Sequence, residues 1–353
     1  MTMQNIAIFI PSLKSGGAEK QAAILGKLMS QEHVVHFIVF CGEAVASERN
    51  IQILATSKVQ LHLLKGSHLH KLIKLHNILK AYSIDIVFNY LTYCDTIGSI
   101  VEWGSGVKRI YNGIRNSRLP FFKFAAELVS HNIIATGSIF NCQSGYNHFT
   151  ARGFSRKKSF IIYNCMLDLE KPLIRHNKTV KNIITIGRFT KQKDYQTAIA
   201  TIATLLSTRN DFRFTIIGNG QLEPKIRSWI KSFGIEHITN VVTENQNIQK
   251  LLNDADIYLS TSIYEGTSNS IMEAMNKSLP VVATAVGDNM MLVEDKRSGF
   301  LHGIKDKKGM ADSLSILLDN YEMRIMFGRK GNEILKDRYS ESVFQNKYMD
   351  LTK

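Results

Sequence analysis

Short runs of consecutive apolar residues, rich in Val, Ile and Phe, recur along the chain. Between them lie longer stretches in which apolar positions return every third or fourth residue. The first pattern predicts strands buried on both faces and the second amphipathic helices. Strands are expected over 5–10, 34–40, 59–63, 85–89, 109–114, 131–135 and 159–162, and again over 182–186, 212–217, 237–242, 257–259 and 280–283. Strand and helix in alternation imply parallel sheets with right-handed crossovers. Two such series, each about 160 residues, predict an α/β protein of two doubly wound domains. The stretch 166–181 has no apolar period and holds Pro172 and the polar run Arg175-His176-Asn177-Lys178, so it reads as the segment between domains.

Composition narrows the class. The 353 residues are 44% hydrophobic and 21% charged, with five prolines, which excludes a disordered chain. The net charge of +14 asks for an anionic partner. It is concentrated in residues 1–166, which carry 18 Lys and Arg against 8 Asp and Glu, while 167–353 carry 26 against 22. Cys41, Cys94, Cys142 and Cys165 are widely spaced, with no C-x-x-C and no zinc-ligand cluster, so reduced thiols and no metal site are expected. Residues 1–5 enter the first apolar run without a basic region or cleavage site, so no signal peptide is expected. The longest apolar run falls well short of the ~20 residues of a spanning helix. A cytoplasmic protein is expected, soluble or peripheral on the inner membrane face.

Four strand-to-helix turns carry candidate chemistry. The first runs Tyr264-Glu265-Gly266-Thr267-Ser268-Asn269 and continues into a helix bearing Glu273. Ser268 and Asn269 are good caps at its start, where backbone N–H groups face an anion. Glu265 falls at a strand's carboxyl end, where open α/β sheets bind ligands, and Glu273 can accept hydrogen bonds from a vicinal diol. The second turn, Gly187-Arg188-Phe189-Thr190-Lys191-Gln192-Lys193, sets two cations beside a helix start, as a diphosphate requires. The third is Gly218-Asn219-Gly220 and the fourth Ser15-Gly16-Gly17-Ala18-Glu19-Lys20. Neither spells G-x-G-x-x-G, which disfavours a nicotinamide cofactor.

Taken in order, these elements resemble the family 4 retaining glycosyltransferases of the GT-B fold, over nearly the whole chain. The family's E-x7-E is matched by Glu265 and Glu273, its G-R-[LF]-x-x-x-K by Gly187, Arg188, Phe189 and Lys193, and its G-G-A-E by Gly16 to Glu19. Gly218-Asn219-Gly220, Pro280 to Thr284 and Val286-Gly287-Asp288-Asn289 also match. The tail from Arg338-Tyr339-Ser340 is similar to the final helix that returns to the first domain. The segment Tyr111 to Arg118 lacks the histidine many members carry there and instead shows Arg115-Asn116, the variant of polysaccharide-assembly members. His131 and His148 are expected to be structural. Asn164-Cys165 stands where Asn-Gly is usual at the end of the first domain, which bears on the hinge.

The resemblance implies domains at 1–166 for the acceptor and 167–337 for a nucleotide diphospho-sugar, with 338–353 crossing back. Arg188, Lys193 and Glu265 would be catalytic. Gly187, Gly218, Asn219, Ser268, Asn269 and Glu273 would hold the donor, UDP-linked on family frequency, and Gly16, Gly17, Arg115 and Asn116 the acceptor side. No cofactor and no metal are implied, and Asp254-Ala255-Asp256, though it spells D-x-D, abuts an apolar strand and reads as structural. A glycan or polyprenyl-diphosphate-linked acceptor in surface polysaccharide synthesis is implied, and the basic first domain suits an anionic membrane. The segments 68–82 and 119–124, which mix apolar or aromatic residues with lysines, fit either core-facing helices or membrane contact. A pI near 9.5 also suits a nucleic-acid binder, but no helix-turn-helix, zinc finger or aromatic-basic RNA pattern accompanies it. A non-catalytic sugar-nucleotide-binding subunit would not require all four charged residues together. A nucleotide-sugar 2-epimerase shares the two-domain plan and differs in needing no acceptor.

Overall fold

The computed structural model describes residues 2–14, 16–42, 46–243 and 248–353; Ser15 of the fourth turn lies outside the described residues. The chain forms two compact units, residues 1–167 with 341–353, and residues 168–340.

The first unit is built on a seven-stranded parallel sheet. In chain order the strands are β1 (Asn5–Ile10), β2 (Val34–Val39), β3 (Gln60–Leu63), β4 (Ile86–Asn89), β5 (Arg109–Ile114), β6 (Gly137–Phe140) and β7 (Ser159–Ile161), and in space β3-β2-β1-β4-β5-β6-β7. Central β1 is buried from Ile6 to Ile10, as a strand covered on both faces must be. Helix Glu341–Asp350 completes this unit, placing Phe344, Tyr348 and Met349 in the same apolar cluster as Ile6, Ile8 and Phe88. The strand expected over 131–135 is instead a π-helical turn, Ser130–Ile134, and the strand follows it as β6. The apolar pair there is not two-face buried: Ile133 is 76% exposed. His131 turns inward, bonding Ser138 Oγ at 2.8 Å and the Ser155 carbonyl at 3.2 Å.

The second unit holds β8 (Lys181–Ile186), β9 (Phe212–Ile217), β10 (Thr239–Val242), β11 (Ile257–Ser260), β12 (Val281–Thr284) and β13 (Gly299–His302), all parallel, in the order β10-β9-β8-β11-β12-β13. The edge strand β13, short and glycine-led, was not expected from the sequence pattern. The segment following Asp168 is irregular but not loose. Arg175 donates from Nη2 to the carbonyls of Leu252 at 3.1 Å and Lys277 at 2.7 Å, and its own carbonyl accepts from Tyr321 Oη at 2.6 Å. Asp256 is buried and accepts from Asn182 N at 2.8 Å, a structural role for the second carboxylate of the D-x-D sequence.

Beneath β4 and β5 the first unit buries three carboxylates. Asp95 accepts from Gly113 N at 2.7 Å and shares a hydrogen bond with Glu127. Glu102 accepts from Asn89 Nδ2 at 2.8 Å, and Ser99 Oγ donates to Asn112 Oδ1 at 2.8 Å alongside. Burial raises the pKa of Asp95 and Glu127, and pushes Glu102 up to about 8, with the Asp95 charge adding to the rise. Burial acts oppositely on the bases, holding His36 and His131 down to about 4. Between pH 4 and 6.5 these two effects oppose, because the histidines favour the fold as pH rises while the carboxylates disfavour it. From pH 6.5 to 8 the Glu102 effect persists after the histidines are neutral in both states. Thermal unfolding followed across that range is expected to show stability falling with pH, and Glu102→Gln to flatten the slope and raise Tm at pH 8. An unchanged slope in the variant refutes this account.

Candidate active site

In the second unit the strand order reverses between β8 and β11, and the carboxyl ends of the strands at such a reversal are the usual ligand position in open α/β sheets. The loop after β8 forms a 3-10 turn, Lys191–Lys193, and Asp194 caps the helix Tyr195–Leu206 from a left-handed conformation with φ 44°. Lys193 Nζ meets Glu265 Oε1 at 2.5 Å, so the two loops close on an ion pair. Ser262 Oγ donates to the same oxygen at 2.7 Å, and Gln192 Nε2 reaches Oε2 at 3.4 Å. The backbones are tied as well. Ile263 N donates to Gln192 O at 2.9 Å, and Thr261 Oγ1 to the carbonyls of Lys193 and Asp194 at 3.0 and 2.9 Å. Glu265 is 7% exposed, so its charge is almost wholly neutralised inside the protein.

The helix Asn269–Asn276 starts beside this pair. Ser268 occupies its N-cap position, yet its hydroxyl makes no capping bond and lies 3.2 Å from Ser270 Oγ. The side-chain cap expected of Ser268 is therefore absent, because a polar chain claims the hydroxyl. That chain continues from Ser270 to Tyr258 Oη, which donates to the Ile186 carbonyl at 3.2 Å. It fastens the first helical turn to the end of β8, next to Gly187 and Arg188. The Tyr258 phenol is pushed up by burial first, with the charges of Glu265 and Glu273 adding to it, so both glutamates act on one ring. Glu273 is half-buried. Arg188 is exposed, and its side chain makes no ion pair or hydrogen bond among the described residues. Asn219 is exposed and serves through its carbonyl, which accepts from Phe189 N at 2.7 Å.

Two glycines make the loop spacing possible. A Cβ on Gly218 would lie 1.9 Å from the Gly187 carbonyl oxygen. Gly287, with φ 52°, would place a Cβ 1.9 Å from the Glu265 carbonyl oxygen. Tyr258, Ser262 and Gln192 were not singled out from the sequence. A lone tyrosine in a buried strand that ends Ser-Thr-Ser was the available signal.

In the first unit Gly16 is the extended N-cap of helix Gly17–Met29, with Glu19 folded back over it. Asn116 is exposed. Arg115 is not an open surface contact. Its guanidinium stacks 4.1 Å from the Tyr90 ring centre, Nη2 donates to Tyr348 Oη at 3.0 Å, and Nε and Nη1 are buried without hydrogen-bond partners among the described residues.

Residues 168–334 match the family described as Glycosyl transferases group 1. The match spans most of the second unit and just under half of the chain. The whole chain is 26% identical to the N-acetylgalactosamine-N,N'-diacetylbacillosaminyl-diphospho-undecaprenol 4-alpha-N-acetylgalactosaminyltransferase of Campylobacter jejuni, over 93% of this chain and 94% of that protein. It is 30% identical to the poly(ribitol-phosphate) alpha-N-acetylglucosaminyltransferase of Staphylococcus aureus over 50% of this chain and 36% of that one. Anabaena HepE, solved in complex with UDP-glucose, superposes with a TM-score of 0.84 at 17% identity over 99% of each chain, so the fold is GT-B. Among the described residues no group of three or more His, Cys, Asp or Glu is placed to hold a metal ion, and no helix is long and apolar enough to cross a membrane.

The Gly287 turn sets the height of the Glu265 loop. Gly287→Ala meets both a left-handed backbone and a carbonyl overlap, a combined cost of about 2 kcal/mol or more. Calorimetry is expected to show this unit melting about 4–8 °C lower in the variant. A wild-type melting temperature contradicts that reading.

Proposed function

We propose that the protein is a retaining, metal-independent hexosyltransferase of family 4, moving a hexose or N-acetylhexosamine from a UDP-sugar to a lipid-diphosphate-linked or glycan acceptor in surface polysaccharide synthesis. The observation that carries the reading is the Lys193–Glu265 pair beside the first turn of helix Asn269–Asn276, with Arg188 unpaired at the same strand end. In transfer the bond from the sugar's anomeric carbon to the diphosphate breaks, leaving charge on phosphate and an electron-poor sugar. Arg188 and Lys193 are assigned the phosphate charge, aided by the helix N-terminus with Ser268 and Asn269. Glu265 faces the sugar and Glu273 the ribose hydroxyls, while Gly187, Gly218 and Asn219 let backbone approach the nucleotide. The first unit is assigned the acceptor, with Gly16, Gly17 and Asn116 as contacts and Arg115 as the support behind them. The acceptor class is supported by the Campylobacter jejuni relative, whose name specifies a diphospho-undecaprenol acceptor.

Lys193→Ala is expected to lower kcat by about 100-fold or more, the scale of losing one preorganised charge donor. Glu273→Ala should chiefly raise the KM for UDP-sugar, and EDTA should leave transfer unchanged. Near-normal kcat in Lys193→Ala, an unchanged KM in Glu273→Ala, or loss of activity in EDTA that a divalent cation restores, counts against this chemistry.

Peripheral binding to the cytoplasmic face of the membrane belongs to the same proposal. Leu75 and Leu79 of helix His68–Ala81 are buried, whereas Leu69 and Ile73 are exposed. Helix Ser99–Gly104, in contact with it, exposes Ile100 and Trp103, and helix Phe121–Val129 exposes Phe121 and Phe122 at 77% and 86%. Exposed Lys74 and Lys123 lie among these side chains in sequence. Apolar side chains with interspersed cations suit an anionic bilayer surface. Flotation with phosphatidylglycerol vesicles is expected to recruit the protein, less so at high salt, and Phe121→Glu with Phe122→Glu to reduce recruitment several-fold. Failure to float at low salt removes the membrane element and leaves the chemistry standing.

A further inference from the structure

A cavity of about 290 Å³ opens on the second unit. Lys191, Lys225 and Lys305 line it together with Trp229, Leu222 and Ile263. None of Arg188, Lys193, Glu265 or Glu273 is on its wall. The 3-10 turn Lys191–Lys193 separates the two places: Lys193 is bound to Glu265 while Lys191 borders the cavity.

The charge on this wall is unbalanced. Less exposed lysines of the same unit are paired, Lys181 with Asp211, Lys193 with Glu265 and Lys277 with Glu170. Lys191, Lys225 and Lys305 make no ion pair among the described residues. The wall's one carboxylate, Asp194, accepts from Thr197 Oγ1 at 2.6 Å and offsets only one of the three lysines. Lys305 also holds a left-handed backbone with φ 65°, which is strained in a non-glycine residue. Three cations on the wall of one cavity repel one another, and an anion bound there relieves the repulsion. The remaining surface is apolar. Trp229, half-buried, offers a flat face beside Leu222 and Ile263. The volume sits at the lower limit for small-molecule pockets, about 300 Å³, which favours a compact ligand.

We propose that this cavity is a second ligand site, for a phosphorylated sugar, with the phosphate among Lys191, Lys225 and Lys305 and the ring against Trp229. It is independent of the reading of the transfer site and survives or fails without it.

Trp103 and Trp229 are the two tryptophans, so Trp103→Phe leaves Trp229 as the single reporter. Glucose 6-phosphate and N-acetylglucosamine 1-phosphate, titrated into that variant, are expected to change Trp229 emission saturably for at least one of them. Glucose and inorganic phosphate should bind at least tenfold more weakly. Adding Lys225→Ala with Lys305→Ala should raise the apparent Kd at least tenfold, whereas saturating UDP or Lys193→Ala should leave it unchanged. The proposal is overturned by no saturable response to either sugar phosphate, by equal response to glucose or to phosphate alone, or by an unaltered Kd in the double lysine variant. It is equally overturned if UDP or Lys193→Ala abolishes the signal, since the ligand then belongs to the transfer site.

Discussion

The ion pair between Lys193 and Glu265 holds the second unit's working edge in shape. It joins the loop after β8 to the loop after β11 where the sheet order reverses, and the backbone bonds through Gln192, Thr261 and Ile263 follow the same seam. A half-buried ammonium without a counter-ion would lose solvation with nothing in return, and a carboxylate only 7% exposed would lose more. Paired, each offsets the other's lost hydration and holds it in place. Arg188, at the lip and in water, needs no such partner. The edge therefore combines one cation held in an ion pair and one that is exposed and unpaired among the described residues, two different ways of meeting an anion.

Much of this was legible in the sequence because it rests on period and order. Continuous Val, Ile and Phe runs placed eleven of the thirteen strands, and the alternation with helices required parallel pairing. The two misses share a cause. The strand Gly137–Phe140 and the strand Gly299–His302 both begin with glycine, a residue depleted in strands that breaks the apolar run. The polar framework was less legible. Glycines 187 and 218 stand 31 residues apart in sequence yet meet backbone to backbone, which no local spacing encodes. The role of Tyr258, linking Ser270 to the Ile186 carbonyl, likewise depends on three elements brought together by the sheet.

Arg115 shows the opposite failure. Its place in a polar turn suggested a hand extended to a ligand, and instead its guanidinium lies on the Tyr90 ring and under the Tyr348 hydroxyl. Beneath it, Asp95, Glu102 and Glu127 occupy a region that a hydropathy pattern would have assigned to the surface. Asn89 Nδ2 donates to Glu102, the Gly113 N–H donates to Asp95 and Glu127 shares a hydrogen bond with Asp95, while Ser99, Asn112 and Ser130 bond one another alongside. In consequence the carboxyl end of β5 is braced by a polar core whose protonation matters to the fold.

Helix Glu341–Asp350 has a bearing on how the molecule is made. Its Phe344, Tyr348 and Met349 fill the apolar cluster of the first unit, and Tyr348 is the hydrogen-bonding partner of Arg115. These residues leave the ribosome only after the whole of 168–340 has been synthesised. The nascent first unit must wait with an unsealed core, so the later unit can reach its final form first, inverting the usual vectorial order of domain folding.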